Sequence, residues 1–204
     1  MTNEAGKTTT RRYRKRIRAE QEAETRQRIA AATARLHERV GPANTTVSAV
    51  AREAGVQRAT VYRHFPTEEH LFGACSAHWA SLHPPPDAGE WAGVADPGER
   101  LRAGLADIYA WYGSDVQMFV NTRRDAALVP AMAAPVKAGQ AATAAMVAAL
   151  TKGRPERGHR RRRVDAAVRH AAAFGTWYSL TQEGGLSDAE AIELMAAAVA
   201  AAGR

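Results

Sequence analysis

Residues 45–65, TTVSAVAREAGVQRATVYRHF, constrain the fold more than any other part of this 204-residue chain. Val47, Val50 and Ala51 place apolar side chains on one helical face, and Thr45 or Thr46 supplies a hydroxyl acceptor for the first free amides. Gly55 allows the left-handed backbone that ends a helix sharply. Val56 fills the angle, and a second, short helix runs from about Arg58 to His64 with Val61 facing inward. Phe65-Pro66 stops it. Thr67 caps a further helix to about Trp79, with Glu68 and Glu69 in its first turn. Two helices joined by a tight turn, the second with polar and aromatic side chains outward, form a shape that fits a DNA major groove.

The remaining pattern is helical too. Ile29, Thr33, Leu36 and Val40 recur at helical spacing, which predicts an amphipathic helix over 19–40, stopped by Gly41-Pro42. Residues 83–98 are dense in Pro and Gly and mark the break between two helical regions. Beyond them Asp96-Pro97 opens a helix to about 112, and Ser114-Asp-Val-Gln117 reads as a capping box opening another to about 125. Residues 131–151 are Ala-rich and helical in part. Residues 161–183 read as one long helix ended by Gly184-Gly185, and Ser187-Asp-Ala-Glu190 caps a final helix to about 201. Ala dominates the apolar residues and β-branched runs are few, so the fold class is all-α.

In order and spacing, the Thr45-Thr46 pair, Ala51, Ala54-Gly55-Val56, Thr60-Val61-Tyr62, His64-Phe65-Pro66, Glu69 and Leu71 resemble the helix-turn-helix signature of TetR-type transcriptional regulators. The resemblance covers roughly 19–79. It implies a three-helix DNA-binding head over 19–80 and a larger α-helical ligand-binding and dimerisation body over 81–204. It implies a homodimer on a palindromic operator, with 58–64 as the recognition helix. The family often has a Lys just after the cap of the following helix, where this chain has Glu68. On side-chain chemistry, Gln57, Arg58, Thr60 and Arg63 are candidate base readers, since Arg bonds a guanine edge bidentately and Gln an adenine edge. Thr45, Thr46, Tyr62 and His64 suit phosphates, and Ala59 lies on the same short helix.

Charge adds an arm. The net charge is +7, and residues 1–18 hold seven Lys/Arg against Glu4 alone. That segment reads as a disordered basic arm. Arg11, Arg12, Arg14, Lys15, Arg16 and Arg18 could track a groove, with Arg14 and Arg16 as candidate DNA contacts. A second basic run, 152–163, reads more readily as a solvated loop and helix start.

Large side chains concentrate in the body. Trp111, Tyr112, Met118, Phe119, Arg123, Phe174, Trp177 and Tyr178 are the candidate lining of a pocket for an apolar or aromatic effector, and core packing is the competing reading. Small residues in the last two helices suit a four-helix interface between two copies. Enzyme chemistry finds no support: the histidines form no metal spacing, and there is no phosphate-binding Gly loop or nucleophile elbow. No cofactor or metal is expected. A single cysteine and no apolar run of membrane length fit a cytoplasmic protein. The expected function is a ligand-responsive transcriptional regulator, a repressor released by its effector. The rivals are a small-molecule-binding protein that keeps the fold without an operator, and a non-specific basic DNA binder.

Overall fold

The computed structural model describes residues 4–204, with side chains from Arg12 onward. Among the described residues there are ten α-helices and no strand. The head comprises α1 (Glu4–Val40), α2 (Val47–Ala54), α3 (Arg58–His64) and α4 (Glu68–Leu82). The body comprises α5 (Pro97–Gly113), α6 (Val116–Asp125), α7 (Ala133–Thr151), α8 (Gly158–Ala171), α9 (Phe174–Tyr178) and α10 (Asp188–Ala202).

The head closes on a small core of Ile29, Leu36, Val50, Val61, Phe65 and Phe72, which ties α1 to all three shorter helices. Thr46 caps α2, its Oγ1 accepting from the Ala49 amide at 3.2 Å. Gly55 is left-handed (φ 66°), and the Val56 amide reaches back to the Ala51 carbonyl at 2.9 Å, so the chain turns within one residue. Outside the core, Glu53 accepts from Arg35 and Arg39 of α1 at 2.9 and 3.0 Å and fixes the roll of α2. Arg26 lies over the Phe65 ring, 4.2 Å from its centroid, and donates to the His64 carbonyl at the end of α3.

Residues 4–18 are not a disordered arm but the first turns of α1. From Glu20 to Arg39 there is no Gly or Pro, and good helix formers dominate the basic stretch. Arg16 and Glu20 add an exposed i,i+4 pair. From Arg12 to Gln21 every side chain but the half-buried Ile17 is exposed, so this stretch projects about 15 Å beyond the packed head at the helical rise. Residues 1–3 and the Arg11 side chain lie outside what the structure describes.

In the body, α5 lies at the centre, with α7 and α10 packed against it and α8 closing the layer between them. Leu105, Ile108, Tyr109, Leu150, Val164, Val168 and Val199 form its interior. Two sequence expectations change here. The long helix over 161–183 is broken: α8 ends at Ala171, Ala173 is extended, and α9 continues into a π-helical turn over Ser179–Glu183. Tyr109 and Tyr112 are the physical reason. Their hydroxyls donate to the Ala171 and Ala172 carbonyls at 2.9 and 2.8 Å, taking acceptors that a continuous helix would use. The cap of α6 also moves. Asp115, not Ser114, accepts from the Met118 amide at 3.0 Å. Ser114 instead donates to the Trp111 carbonyl at the end of α5. At α10 the expected capping box is present, with Ser187 and Glu190 bonding reciprocally.

Tyr109→Phe should lower the unfolding free energy by about 1–2 kcal/mol, because it leaves the buried Ala171 carbonyl without its donor. Urea denaturation checks this; an unchanged midpoint would mean that helix continuity, not the tyrosine, sets the break.

Candidate nucleic-acid interface

The turn at Gly55 stands α3 clear of α2 and orients it by burying Val61 and Phe65. Arg58, Ala59, Tyr62 and Arg63 are exposed and share one face, because positions i, i+1, i+4 and i+5 lie within a half-turn of a helix. Tyr62 is 48% exposed, a large apolar ring left in solvent. Gln57 is exposed at the cap, and Thr60 is half-buried on the flank. The outward face therefore consists of two guanidinium groups, a methyl and a phenol.

The expected phosphate contacts divide. Thr46 is exposed, and while its oxygen caps α2, its hydroxyl proton is free to donate outward. Thr45 is half-buried and donates to the Gly41 carbonyl at 2.9 Å. His64 turns its Nε2 inward, where it has no partner. Burial, then the neighbouring Arg63 charge, lowers the His64 pKa. Arg14 and Arg16 are exposed on the projecting part of α1, on a helix rather than a loose strand. At the start of α4, Thr67 caps through the His70 amide, and the exposed Glu68 and Glu69 keep that helix start acidic.

The body carries this head through one seam. Asn121 of α6 donates to the His37 and Glu38 carbonyls at 3.0 and 2.6 Å, closing the end of α1. The buried Asp125 accepts from the Ala43 amide at 3.0 Å and from Arg124. Its carboxyl is held below the usual range, chiefly by the Arg124 guanidinium. Gly41 (φ 88°) passes directly beneath both side chains, and a Cβ there would collide with the Arg124 Nη2 and the Asp125 Oδ2. Beside them His37 is 5% exposed, edge-on to Phe72 at 4.6 Å, with its Nδ1 3.5 Å from the Cys75 Sγ. The seam was not legible in the sequence, although Asn121 and Asp125 at i,i+4 on an otherwise amphipathic helix were a visible cue.

The eight candidate ligand residues also divide. Trp111, Tyr112, Phe119, Phe174, Trp177 and Tyr178 form one continuous cluster with ring centroids 4.9–5.8 Å apart. Met118 faces the other way, against Ala34 and Cys75 in the seam, and Arg123 is exposed. The cluster is packed: Tyr112 and Trp177 are buried, the latter also donating its Nε1 to Asp188 at 2.8 Å.

Residues 29–75, the span that forms the head core and its turn, match the family model described as bacterial regulatory proteins, tetR family. The head is a TetR-type DNA-binding domain. The whole fold is similar to that of a TetR transcription regulator from Haloarcula marismortui, with TM-score 0.53 and 16% identity, covering 89% of this chain and 97% of that one. No curated protein sequence matches. The TetR-type head places α2 and α3 as its helix-turn-helix, and the exposed face of α3 is its outward surface. No helix among the described residues is long and apolar enough to cross a membrane.

Burial lowers the His37 pKa to about 4, against 6.5 for the free side chain, with Asp125 partly offsetting the shift. Between those values the unfolded chain takes up a proton that the folded chain refuses. Stability should therefore be flat above about pH 6.5 and fall below it, by about 2 kcal/mol at pH 5. Urea unfolding of wild type and His37→Gln at pH 7 and pH 5 isolates this contribution. An equal pH dependence in both proteins would contradict it.

Proposed function

We propose that this protein is a homodimeric transcriptional repressor that reads a palindromic operator with α3 and is released when a small molecule binds the body. The observation that carries the reading is the exposed Arg58, Ala59, Tyr62 and Arg63 face on a TetR-type helix-turn-helix. A solvent-facing tyrosine and two exposed arginines that make no ion pair among the described residues share this seven-residue helix, and none of the three packs into the head core.

In this reading Arg58 and Arg63 take guanine edges, Ala59 meets a thymine methyl, and Gln57 reads from the cap. Thr60 reads from the flank. Thr46 and Tyr62 donate to phosphates and set the register. Thr45 and His64 support the backbone of this surface from behind. Arg14 and Arg16 extend the positive field along the projecting α1, adding salt-dependent affinity.

A lone seven-residue helix reads too few base pairs, which is why the reading includes two copies. Ala166 of α8 and Leu194, Ala197, Ala198 and Ala201 of α10 are exposed, and Leu194 is 47% exposed. Small side chains around one Leu let two helix pairs approach closely. The aromatic cluster from Trp111 to Tyr178 is the effector-sensing element, with Arg123 on its α6 edge and Met118 on the opposite side of α6, toward α1. α6 also grips the end of α1, so a shift of the cluster reaches the head through Asn121 and Asp125. A change in the spacing of the two α3 helices then disfavours DNA.

Selection from a random duplex pool with the full chain tests the whole reading. A palindromic site is the expected result. Uniform recovery of all sequences would favour non-specific binding, and no recovery would favour a ligand-binding protein without an operator, which the acidic Glu68 also fits. Arg58→Ala should weaken binding to the selected site about tenfold or more while leaving helical content unchanged. Electrophoretic mobility shift together with circular dichroism reads both quantities, and full-strength binding would remove Arg58 from the reading surface. Leu194→Glu should convert the dimer to a monomer in sedimentation analysis and weaken operator binding in parallel; a dimer that persists would place the interface elsewhere.

A further inference from the structure

We propose that the cleft between the end of α4, the segment that follows it and the C-terminal half of α5 binds a small organic cation with a flat apolar body. This deepens the effector reading above and rests on it for its regulatory meaning, though not for the binding itself. The cleft has a volume of about 410 Å³. The indole of Trp111, the prolines Pro84 and Pro86 and the 64%-exposed Leu82 form its apolar wall.

The polar side carries one sign. Asp87, Glu90 and Asp107 all face the cleft, and none makes an ion pair among the described residues. Asp87 commits one oxygen to the Gly89 amide at 2.8 Å, and Asp107 commits one to the Trp91 Nε1 at 2.7 Å. Each leaves its second oxygen to the cleft. The one basic side chain in the lining is His83, which pairs with the Ser114 hydroxyl at 3.2 Å and stacks on Trp79 at 4.9 Å. Three carboxylates repel an anion and gain nothing from a neutral guest that strips their water. A cation neutralises them, and the indole face adds quadrupole attraction. The Trp111 Nε1 is already committed to the His83 carbonyl at 3.0 Å, so its ring edge is fixed for this role.

The cleft also connects to the rest of the molecule. Trp111 touches Phe119 edge-on at 4.9 Å and neighbours Trp79 at 6.3 Å. Trp79 donates to Asp115, the cap of α6, at 2.6 Å. A guest held against Trp111 therefore lies one ring contact from α6, the helix that holds the end of α1.

Calorimetric titration of the full chain with three naphthalene probes tests the proposal: naphthylmethyl-trimethylammonium, naphthalenemethanol and naphthoate. The cation should bind about tenfold tighter than the alcohol, and naphthoate should not bind. Asp87→Asn with Glu90→Gln should cost the cation about tenfold and leave the alcohol unchanged. Equal affinity for cation and alcohol, an unaffected double variant, or no cation binding at millimolar concentration would each overturn the site. Release of the selected duplex is measured separately. A cation that binds but does not release duplex upholds the cleft and overturns the effector role. Release by naphthalenemethanol alone overturns the cleft and leaves that role standing.

Discussion

The grip of α6 on the end of α1 is the interaction on which the rest of this structure depends. A helix ends with unsatisfied carbonyls, and here Asn121 supplies a donor to the Glu38 carbonyl and a second donor to the His37 carbonyl, which also accepts from the Gly41 amide. Asp125 then fixes the turn that leads into α2, through the Ala43 amide. Burying a carboxylate is costly unless it is paired and hydrogen-bonded, and Arg124 meets that condition at the protein surface. Only glycine fits beneath the pair, which explains Gly41 without any appeal to flexibility. The helix-turn-helix is therefore mounted on the body through polar contacts with defined directions, not through an apolar seam that could slide.

The same seam gives the body a route to the head. Met118 and Trp79 lie on its apolar side, and Trp79 and Phe119 continue it into the aromatic cluster. That cluster sits beside the break between α8 and α9, where the tyrosine hydroxyls hold two helix-end carbonyls. A π-turn inside a helix is rare and recurs at functional sites. The body thus joins a packed set of rings, a helix junction with a π-turn and a polar clamp on the end of α1.

Legibility varied with the range of the interactions involved. Caps, stops and turns read well, because Thr46, Gly55, Asp96 and Ser187 act on backbone a few residues away. Ser114 misled for a local reason with a distant cause: Asp115 takes the cap while also receiving the Trp79 indole from α4. The helix expected over 161–183 has strong helix formers up to Ala173 and weaker ones, Gly175 among them, beyond it; its interruption is fixed by bonds from α5, far away in sequence. At the candidate DNA surface, residue type pointed to the α3 segment. The grouping differed, because burial of Val61 and Phe65 sets the roll of α3 and moves Thr60 and His64 off the open face.

By itself, the sequence determined that this chain is helical, that its head carries a TetR-type helix-turn-helix, and which short helix bears the polar outward residues. Those properties follow from periodicity, caps and glycine placement, all of which act within about one or two helical turns. Only the tertiary structure decided where the long C-terminal helix breaks, which rings pack on one another, and how α6 holds the head. Each of these depends on a donor meeting an acceptor or a ring meeting a ring across tens of residues, as Asn121 meets His37. No local pattern records such a meeting, because its free energy exists only after both partners have been brought together.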